Sequence, residues 1–174
     1  KLVTVGIRLQ SMFDSAWAQR MLTLLQARPD LHWVLVGLNS LPPALEHLKS
    51  QISLVPFQSN LGRVLKACDI YVNPDRLGGG LSVATAMACA LPTLSLVDSD
   101  GGDKLGPFAL ATPEAYFDRL DALSQDLSQR LTLGNALRQR YLEELDIARA
   151  GPRLVQALDA AQAGFRARTS TPSS

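Results

Sequence analysis

The chain has 174 residues, a length that corresponds to one domain with a single hydrophobic core. Hydrophobic residues make up 47% of the sequence and charged residues 19%, a composition that excludes an intrinsically disordered or fibrous chain. The formal net charge is +1, so bulk charge suggests neither nucleic acid nor an anionic membrane surface as a partner. Two cysteines and two histidines are too few for a disulfide framework or for a metal site built from soft ligands, and we expect no metal.

Short apolar runs alternate with helical patterns in the first half of the chain. The apolar runs predict five strands, at residues 2–7, 32–37, 52–57, 69–73 and 91–97. Between them the pattern predicts a helix that Ser11 caps and Pro29 ends, followed by helices at residues 45–49, 60–68 and 81–89. Strands that alternate with helices are typical of a parallel sheet with helices on both faces, so the predicted fold class is α/β and Rossmann-like.

The second half of the chain changes to a helical pattern. Residues 112–114, Thr-Pro-Glu, form a helix start with a cap, a proline at the first position and an acidic residue near the positive end of the helix dipole. The glycine and proline at 151–152 are expected to interrupt the helical run before a last helix. We therefore predict one domain over residues 1–167, with a helical C-terminal part, and a flexible polar tail at 168–174.

Residues 77–97 contain no charged side chain, as a membrane span would. Three glycines, one proline and several hydroxyl side chains in this stretch favour a turn, a buried helix and a buried strand instead, and we expect no transmembrane segment. The sequence shows no signal peptide, and it begins with Lys1 rather than methionine. We therefore expect the chain to be part of a longer protein.

A run of three glycines follows the fourth predicted strand, and ligands of an open parallel sheet bind beyond the carboxyl ends of its strands. Glycines at 78–80 let the backbone approach a ligand, and the next helix offers free N–H groups and a positive dipole end that suit a phosphate. Ser82 can add a hydroxyl, and Arg8 and Arg76 can add positive charge. A tight turn that serves only helix–sheet packing is the alternative. The glycines match neither the Walker loop nor the dinucleotide fingerprint.

Other reactive side chains have less specific surroundings. Asp100 and Asp103 follow the fifth predicted strand and flank two glycines, so they could act as an acid–base pair, bind sugar hydroxyls or form part of a turn. Cys68 and Cys89 are expected to be buried thiols rather than nucleophiles. The two histidines are expected to be structural or solvated.

Residues 68–93 read CDIYVNPDRLGGGLSVATAMACALPT. This stretch resembles the nucleotide-sugar-binding half of GT-B glycosyltransferases of the group-1, retaining type. That family has a strand, a proline, a glycine/serine loop, a helix with the letters EAMACG and a strand that opens with PV. VGIRL at 5–9, LVG at 35–37 and the glycines at 101–102 resemble further segments of the family in the same order. The resemblance extends over about residues 2–165 and implies half of a GT-B fold.

The resemblance implies a transferase that moves a sugar from a nucleoside diphosphate sugar to a glycan, lipid-linked or protein acceptor. A separate N-terminal half would bind the acceptor, and the reaction would occur between the halves without a cofactor or an essential metal. The half described by this sequence would be inactive alone. Such an enzyme is expected in the cytoplasm, with peripheral attachment of the full-length protein to the inner membrane as an open alternative.

The resemblance also implies roles for individual residues. Arg8 would be the catalytic residue that contacts the donor diphosphate, and the base pocket would lie near Phe57. The family motifs assign the diphosphate to the glycine loop and the following helix start, at Gly79, Gly80, Leu81 and Ser82. Gly78 and Arg76 belong to the same candidate site through the argument from strand ends and charge given above.

Two departures from the family pattern concern donor binding. The family usually has a lysine five or six residues after the arginine, where this chain has Phe13 and Asp14. The glutamate that often binds the ribose is replaced by Thr85, which can hydrogen-bond a hydroxyl but carries no charge. Either other groups such as Arg76 and Lys104 complete the donor site, or the chain is a binding or scaffold module that has lost turnover.

Overall fold

Five parallel strands form one sheet in the order β3-β2-β1-β4-β5 in a computed structural model that describes residues 1–6 and 9–169. The strands are β1 (Leu2–Val5), β2 (Trp33–Val36), β3 (Ile52–Val55), β4 (Ile70–Val72) and β5 (Thr93–Leu94). The α-helices are α1 (Ala16–Ala27), α2 (Leu61–Leu65), α3 (Leu81–Ala88), α4 (Gly102–Leu105), α5 (Pro113–Gln125), α6 (Leu127–Arg140) and α7 (Ile147–Thr169). Short 3-10 helices occupy Leu9–Met12, Pro43–Gln51 and Gly106–Phe108, and a π-helix occupies Tyr141–Leu145. The predicted α/β class is confirmed.

The central strands are buried on both faces of the sheet. All four residues of β2 are buried, and so are the first three of β1. Successive side chains of a strand point to opposite faces, so a continuous buried run requires cover on both sides. Trp33 in β2 and Tyr71 in β4 are fully buried, which confirms that both belong to the core.

An aromatic cluster joins α1 and α5 to the sheet. The Trp17 ring in α1 meets the rings of Trp33 and Tyr116 edge-on, each at a centroid distance of 6.1 Å. Phe13 packs edge-on against Trp33 at 6.2 Å. Each such pair contributes about 0.5–1.5 kcal/mol beyond its buried area. The Tyr116 hydroxyl also donates a 3.1 Å hydrogen bond to the Asn73 carbonyl at the end of β4.

The first helix begins later than predicted. Ser11 lies in a 3-10 turn, and α1 begins at Ala16 with Ser15 as its cap, so the prediction of a cap at Ser11 is wrong. The Ser15 backbone is extended, and its hydroxyl accepts a 3.2 Å hydrogen bond from the Ala18 N–H. The sequence offered two serines four residues apart, and the helical pattern did not distinguish them.

The fifth strand is shorter than predicted. It spans Thr93–Leu94 rather than residues 91–97, because its neighbour β4 contains only three residues. Beyond Leu94 the chain pairs with Leu110 instead: the Leu110 N–H donates to the Ser95 carbonyl, and the Val97 N–H donates to the Leu110 carbonyl. Residues 77–97 therefore form the predicted turn, helix and strand, and no helix among the described residues is long and apolar enough to cross a membrane.

The last helix starts before the Gly-Pro pair that was expected to precede it. The break falls at Asp146, which has an extended backbone and accepts a 3.0 Å hydrogen bond from the Ala148 N–H. Pro152 lies inside α7, on a largely exposed stretch of the helix. The helix continues to Thr169, and the rest of the predicted tail at 168–174 lies outside the described residues.

Candidate functional site

The strand order reverses between β1 and β4, because β2 and β3 lie on one side of β1 while β4 and β5 lie on the other. In open parallel sheets ligands bind in the crevice at the carboxyl ends of the strands at such a reversal. The loop at 73–80 leaves β4 at this point, and the loop at 95–101 leaves β5 beside it. The predicted phosphate-binding glycines therefore lie at the edge of the sheet where a ligand site is expected.

The glycine loop ends in a left-handed residue that starts α3. Gly80 has φ of +62° and is the N-cap of α3, and no side chain of a described residue caps this helix. The first turn of α3 also contains no acidic residue. The initial N–H groups of the helix therefore have no side-chain acceptor among the described residues, as at helix starts that bind anions. A Cβ atom added at Gly79 would meet no atom of a described residue within 4 Å, so these residues leave space beside the loop.

Arg76 lies across the reversal point. Its Nη2 donates a 2.8 Å hydrogen bond to the Val5 carbonyl at the end of β1, and its Nε lies 3.4 Å from Oδ2 of Asp100. The guanidinium covers Gly6 so closely that any side chain there would overlap it. The Arg76 side chain is 28% exposed, so this guanidinium, which was predicted to bind a phosphate, is largely engaged with the protein itself.

Asp100 is the buried partner of Arg76. Its side chain is only 4% exposed, and its Oδ1 accepts a 2.8 Å hydrogen bond from Nδ2 of Asn73. Asp103, by contrast, is exposed and pairs through both oxygens with Nζ of Lys104, at 2.9 and 3.0 Å. The Lys104 ammonium holds the pKa of Asp103 below its ordinary value. The two aspartates thus have separate partners, and neither is bonded to the other.

The hydroxyl groups of α3 have intramolecular partners. Ser82 accepts a 2.8 Å hydrogen bond from the Tyr71 hydroxyl, and burial raises the pKa of Tyr71 to about 12. The Tyr71 proton is therefore fixed on the tyrosine, and Ser82 keeps its own proton for another acceptor. Thr85 donates to the Leu81 carbonyl at 2.8 Å, one turn earlier in the helix.

Three large apolar side chains are exposed at the same edge of the sheet. Phe57 follows β3 and is 74% exposed, while Leu77 and Leu81 flank the glycines and are 88% and 77% exposed. Phe57 and Leu81 belong to the predicted site, whereas Leu77 was not predicted as a site residue. Leu77 and Leu81 lie next to the glycines, whereas β2 and β1 separate Phe57 from them along this edge. Exposed apolar groups suit the planar face of a base or sugar.

Several predicted features lie outside this region. Arg8, the predicted catalytic residue, is outside the described residues. Phe13 is buried against Trp33, and Asp14 is exposed. Neither side chain is a cation, so these two positions do not supply the positive charge that the family usually has nearby. Among the described residues no three histidine, cysteine or acidic side chains are grouped as metal ligands, and metal independence stays a prediction.

A cavity of about 210 Å³ lies at the opposite, amino-terminal edge of the sheet. It includes Cys68 before β4 and Cys89 before β5, both half-buried, and burial raises the pKa of Cys68. None of the predicted donor-site residues lines this cavity. The topological argument and the chemistry of the glycine loop therefore define the candidate site better than cavity size does.

Asn73 and Gly6 support the site, but they were not predicted as part of it. Asn73 is buried at the end of β4 and fixes Asp100, and Gly6 provides space for the Arg76 side chain. A polar residue directly after a buried strand, and a glycine at the end of a neighbouring strand, are the sequence signals that could have indicated them.

The family model for glycosyl transferases group 1 matches residues 2–126, which is most of the chain. The chain belongs to this family. The match covers the whole sheet, the glycine loop and α5, and it confirms the resemblance that residues 68–93 carry. No curated protein matches the chain.

Solved glycosyltransferase structures share the fold at low sequence identity. Alr3699/HepE from Anabaena, in complex with UDP and glucose, superposes with a TM-score of 0.68 at 15% identity, over 91% of this chain and 48% of HepE. A mutant O-GlcNAc transferase from Thermobaculum terrenum gives 0.72 at 19% identity, over 98% of this chain and 37% of that protein. The C-terminal domain of LpcC from Francisella tularensis gives 0.56 at 18% identity, over 84% and 85% of the two chains. The chain therefore spans about half the length of HepE and has the fold of a single GT-B half.

Proposed function

We propose that this chain is the donor-binding half of a glycosyltransferase that uses a nucleoside diphosphate sugar. The observation that carries the proposal is the uncapped start of α3, with the left-handed Gly80 at the reversal point of the sheet. Family membership supports the same activity, and the structure of HepE holds UDP and glucose. The base, the sugar and the acceptor, whether a glycan, a lipid-linked molecule or a protein, are matters for experiment.

The proposed mechanism is electrostatic rather than nucleophilic. Departure of the nucleoside diphosphate builds negative charge on its phosphates, and positioned donors stabilise that charge. Backbone N–H groups from Gly80 to Ser82 supply such donors. Arg8 supplies the positive charge, because the charge of Arg76 is balanced by Asp100. No metal or cofactor takes part in this proposal.

The base and ribose have proposed positions on either side of the loop. The exposed ring of Phe57 offers a face for the base. Thr85 lies one turn into α3 and can accept a hydrogen bond from a ribose hydroxyl while its own proton stays on the Leu81 carbonyl. A neutral acceptor binds ribose less strongly than a carboxylate, so we expect modest donor affinity.

The acceptor-binding half is proposed to pack on α7. This helix exposes Leu154, Val155 and Leu158, each about 60% exposed. The chain spans only 48% of HepE, which contains a further half. Exposed apolar side chains at helical spacing are stabilised by a partner surface.

We place the intact protein in the cytoplasm, where nucleotide sugars would reach the crevice.

A nucleotide titration tests the donor site. UDP, GDP, ADP, CDP and TDP are titrated into the intact protein by calorimetry, without metal and then with Mg²⁺. The proposal expects saturable binding of one nucleotide, and a Gly79→Leu variant that folds but does not bind it. A Cβ at Gly79 meets no atom of a described residue within 4 Å, so the larger side chain fills the ligand space without disturbing the core. Gly164→Leu on α7 is the matched control, because a Cβ there likewise meets no described atom within 4 Å.

A turnover measurement tests the role of Arg8. Arg8→Ala should lower turnover by the intact protein by about 10²-fold or more, the scale of losing one charge-stabilising donor. An unchanged rate would show that the diphosphate does not bind near the end of β1.

The second proposal is a GT-B-like binding or scaffold module without turnover. Thr85 and the absence of a cation at Phe13 and Asp14 favour it. Sugar transfer by the intact protein that is lost in Gly79→Leu would refute it, whereas nucleotide binding without transfer to any acceptor class would support it.

A further inference from the structure

Asp100 is a buried carboxylate beneath the glycine loop, and the proposed chemistry gives it no direct task. Its side chain is 4% exposed, although it lies in the loop that follows β5 at the ligand edge of the sheet. A fixed negative charge beside a phosphate site opposes anion binding. Burying a carboxylate is also unfavourable unless hydrogen bonds and a partner charge compensate for it. The burial of Asp100 at this position is therefore best explained by a structural role at the site.

The contacts of Asp100 join the separate parts of the proposed donor site. Oδ1 accepts from Asn73 Nδ2 at 2.8 Å, and Oδ2 lies 3.4 Å from Nε of Arg76. The Asp100 N–H donates a 2.9 Å hydrogen bond to the Arg76 carbonyl. A Cβ at Gly78 would lie 2.7 Å from Oδ2, and one at Gly80 would overlap the Asp100 carbonyl oxygen. One residue thus contacts the end of β4, the arginine and two of the three glycines.

Arg76 extends this arrangement to a third strand. Its Nη2 hydrogen bond to the Val5 carbonyl connects β1 to the same network. The carboxyl ends of β1, β4 and β5 are therefore joined through two side chains, Arg76 and Asp100. Because the guanidinium is paired with Asp100, the pair contributes little net charge to a ligand, and its effect on the ligand is geometric.

We propose that Asp100 is a positioning residue for donor binding: it holds Arg76 and Gly78–Gly80 in the arrangement that presents the first N–H groups of α3 to the diphosphate. The inference rests on the proposed donor-binding function and assigns a task within the same site. The alternative to a positioning role is a purely electrostatic one, in which Asp100 only reduces the positive charge of the site.

The sign of one substitution distinguishes the two roles. Asp100→Asn removes the negative charge and keeps the shape, so electrostatics alone predicts tighter UDP binding. Positioning predicts the reverse, because the asparagine no longer holds Arg76 and the loop. We expect binding weakened by about tenfold or more, the scale of losing one hydrogen bond to a charged group. Asp98→Asn is the matched control: Asp98 is exposed in the same loop, and its side chain makes no hydrogen bond or ion pair with a described residue.

Gly78→Ala separates the carboxylate from the loop without any change of charge. The added methyl would lie 2.7 Å from Oδ2 of Asp100, so one of the two must move. We expect this variant to weaken UDP binding as Asp100→Asn does, while Asp98→Asn binds UDP as tightly as the parent or more tightly. Circular dichroism melts of each variant identify any that fails to fold.

Hydrogen exchange of the ligand-free intact protein gives a readout that needs no nucleotide. Peptides that cover residues 74–82 should exchange about tenfold faster in Asp100→Asn, and at the parent rate in Asp98→Asn. Unchanged exchange in Asp100→Asn, or UDP binding as tight as in the parent protein, would overturn the positioning role. Absence of UDP binding by the parent protein would count against the proposed function for uridine nucleotides, and the exchange result would still decide the role of Asp100.

Discussion

Replacing Gly80 by alanine should destabilise the fold and impair donor binding together. Gly80 has φ of +62°, a left-handed conformation that costs other residues about 1–2 kcal/mol. A Cβ at this position would also overlap the Asp100 carbonyl oxygen and the side chain of Lys104. A backbone carbonyl cannot rotate away as a side chain can, so relief requires a shift of the loop, at about 1–3 kcal/mol. We expect the free energy of unfolding to fall by about 2–5 kcal/mol in total.

Urea denaturation and thermal melts measure this loss. A change of this size lowers Tm by roughly 5–15 °C for a domain of this length. Gly79→Ala is the matched control, because Gly79 lies in the same loop, has no left-handed φ, and its added Cβ would meet no described atom within 4 Å. We expect the control to change the free energy of unfolding by less than about 1 kcal/mol. Equal stabilities of the two alanine variants would refute the reasoning about the Gly80 backbone, and parent-like UDP binding by Gly80→Ala would refute its link to the site.

Further predictions concern the helices and the pH dependence of stability. Gly134→Ala in α6 should destabilise the protein by about 1–3 kcal/mol, because its Cβ would overlap the Ala90 carbonyl. Gly164→Ala in the exposed part of α7 should instead stabilise the protein by up to about 1 kcal/mol. Urea denaturation compares the two variants, and effects of the same sign would contradict the packing argument. Burial lowers the pKa of His32, which hydrogen-bonds Ser53 at 2.8 Å, so the folded state binds a proton less tightly than the unfolded state. Its contribution to stability is complete above the unfolded pKa of about 6.5 and is lost as the pH falls through the folded value. His32→Gln should therefore show a smaller fall in unfolding free energy between about pH 7 and about pH 5, and an identical pH profile would contradict the assignment.

The sheet could be predicted because its strands are short, apolar and separated by helices. β2 is the clearest example: four apolar residues between Pro29 and Gly37 form a strand that is buried on both faces. Strand ends were predicted less well, because they depend on the length of the neighbouring strand. β5 stops at Leu94 since β4 ends at Val72, and nothing within residues 91–97 indicates that limit.

The position of the candidate site could be predicted, but its internal contacts could not. A glycine run after a strand is visible in the sequence and places a ligand loop at the carboxyl edge. The partner of Arg76 is not visible in this way, because Asp100 follows a different strand and is 24 positions away. The sequence therefore suggested Arg76 as a free cation for a phosphate, whereas the structure shows it paired with Asp100 and bonded to Val5.

The helical layer that follows the family match also supports the site. The match ends at residue 126, yet Arg140 in α6 donates a 2.7 Å hydrogen bond from Nε to the Lys104 carbonyl. Gly106 permits this approach, since a Cβ there would lie 2.6 Å from Cζ of Arg140. The Lys104 side chain in turn covers Gly80 beside the Asp100 carbonyl oxygen, so α6 supports the glycine loop through Lys104. Because α6 also packs against α3 and β5, a fragment that ends at residue 126 would lose one of the two supports of the loop. The folding unit that presents the start of α3 therefore extends through Arg140, beyond the segment by which the family is recognised.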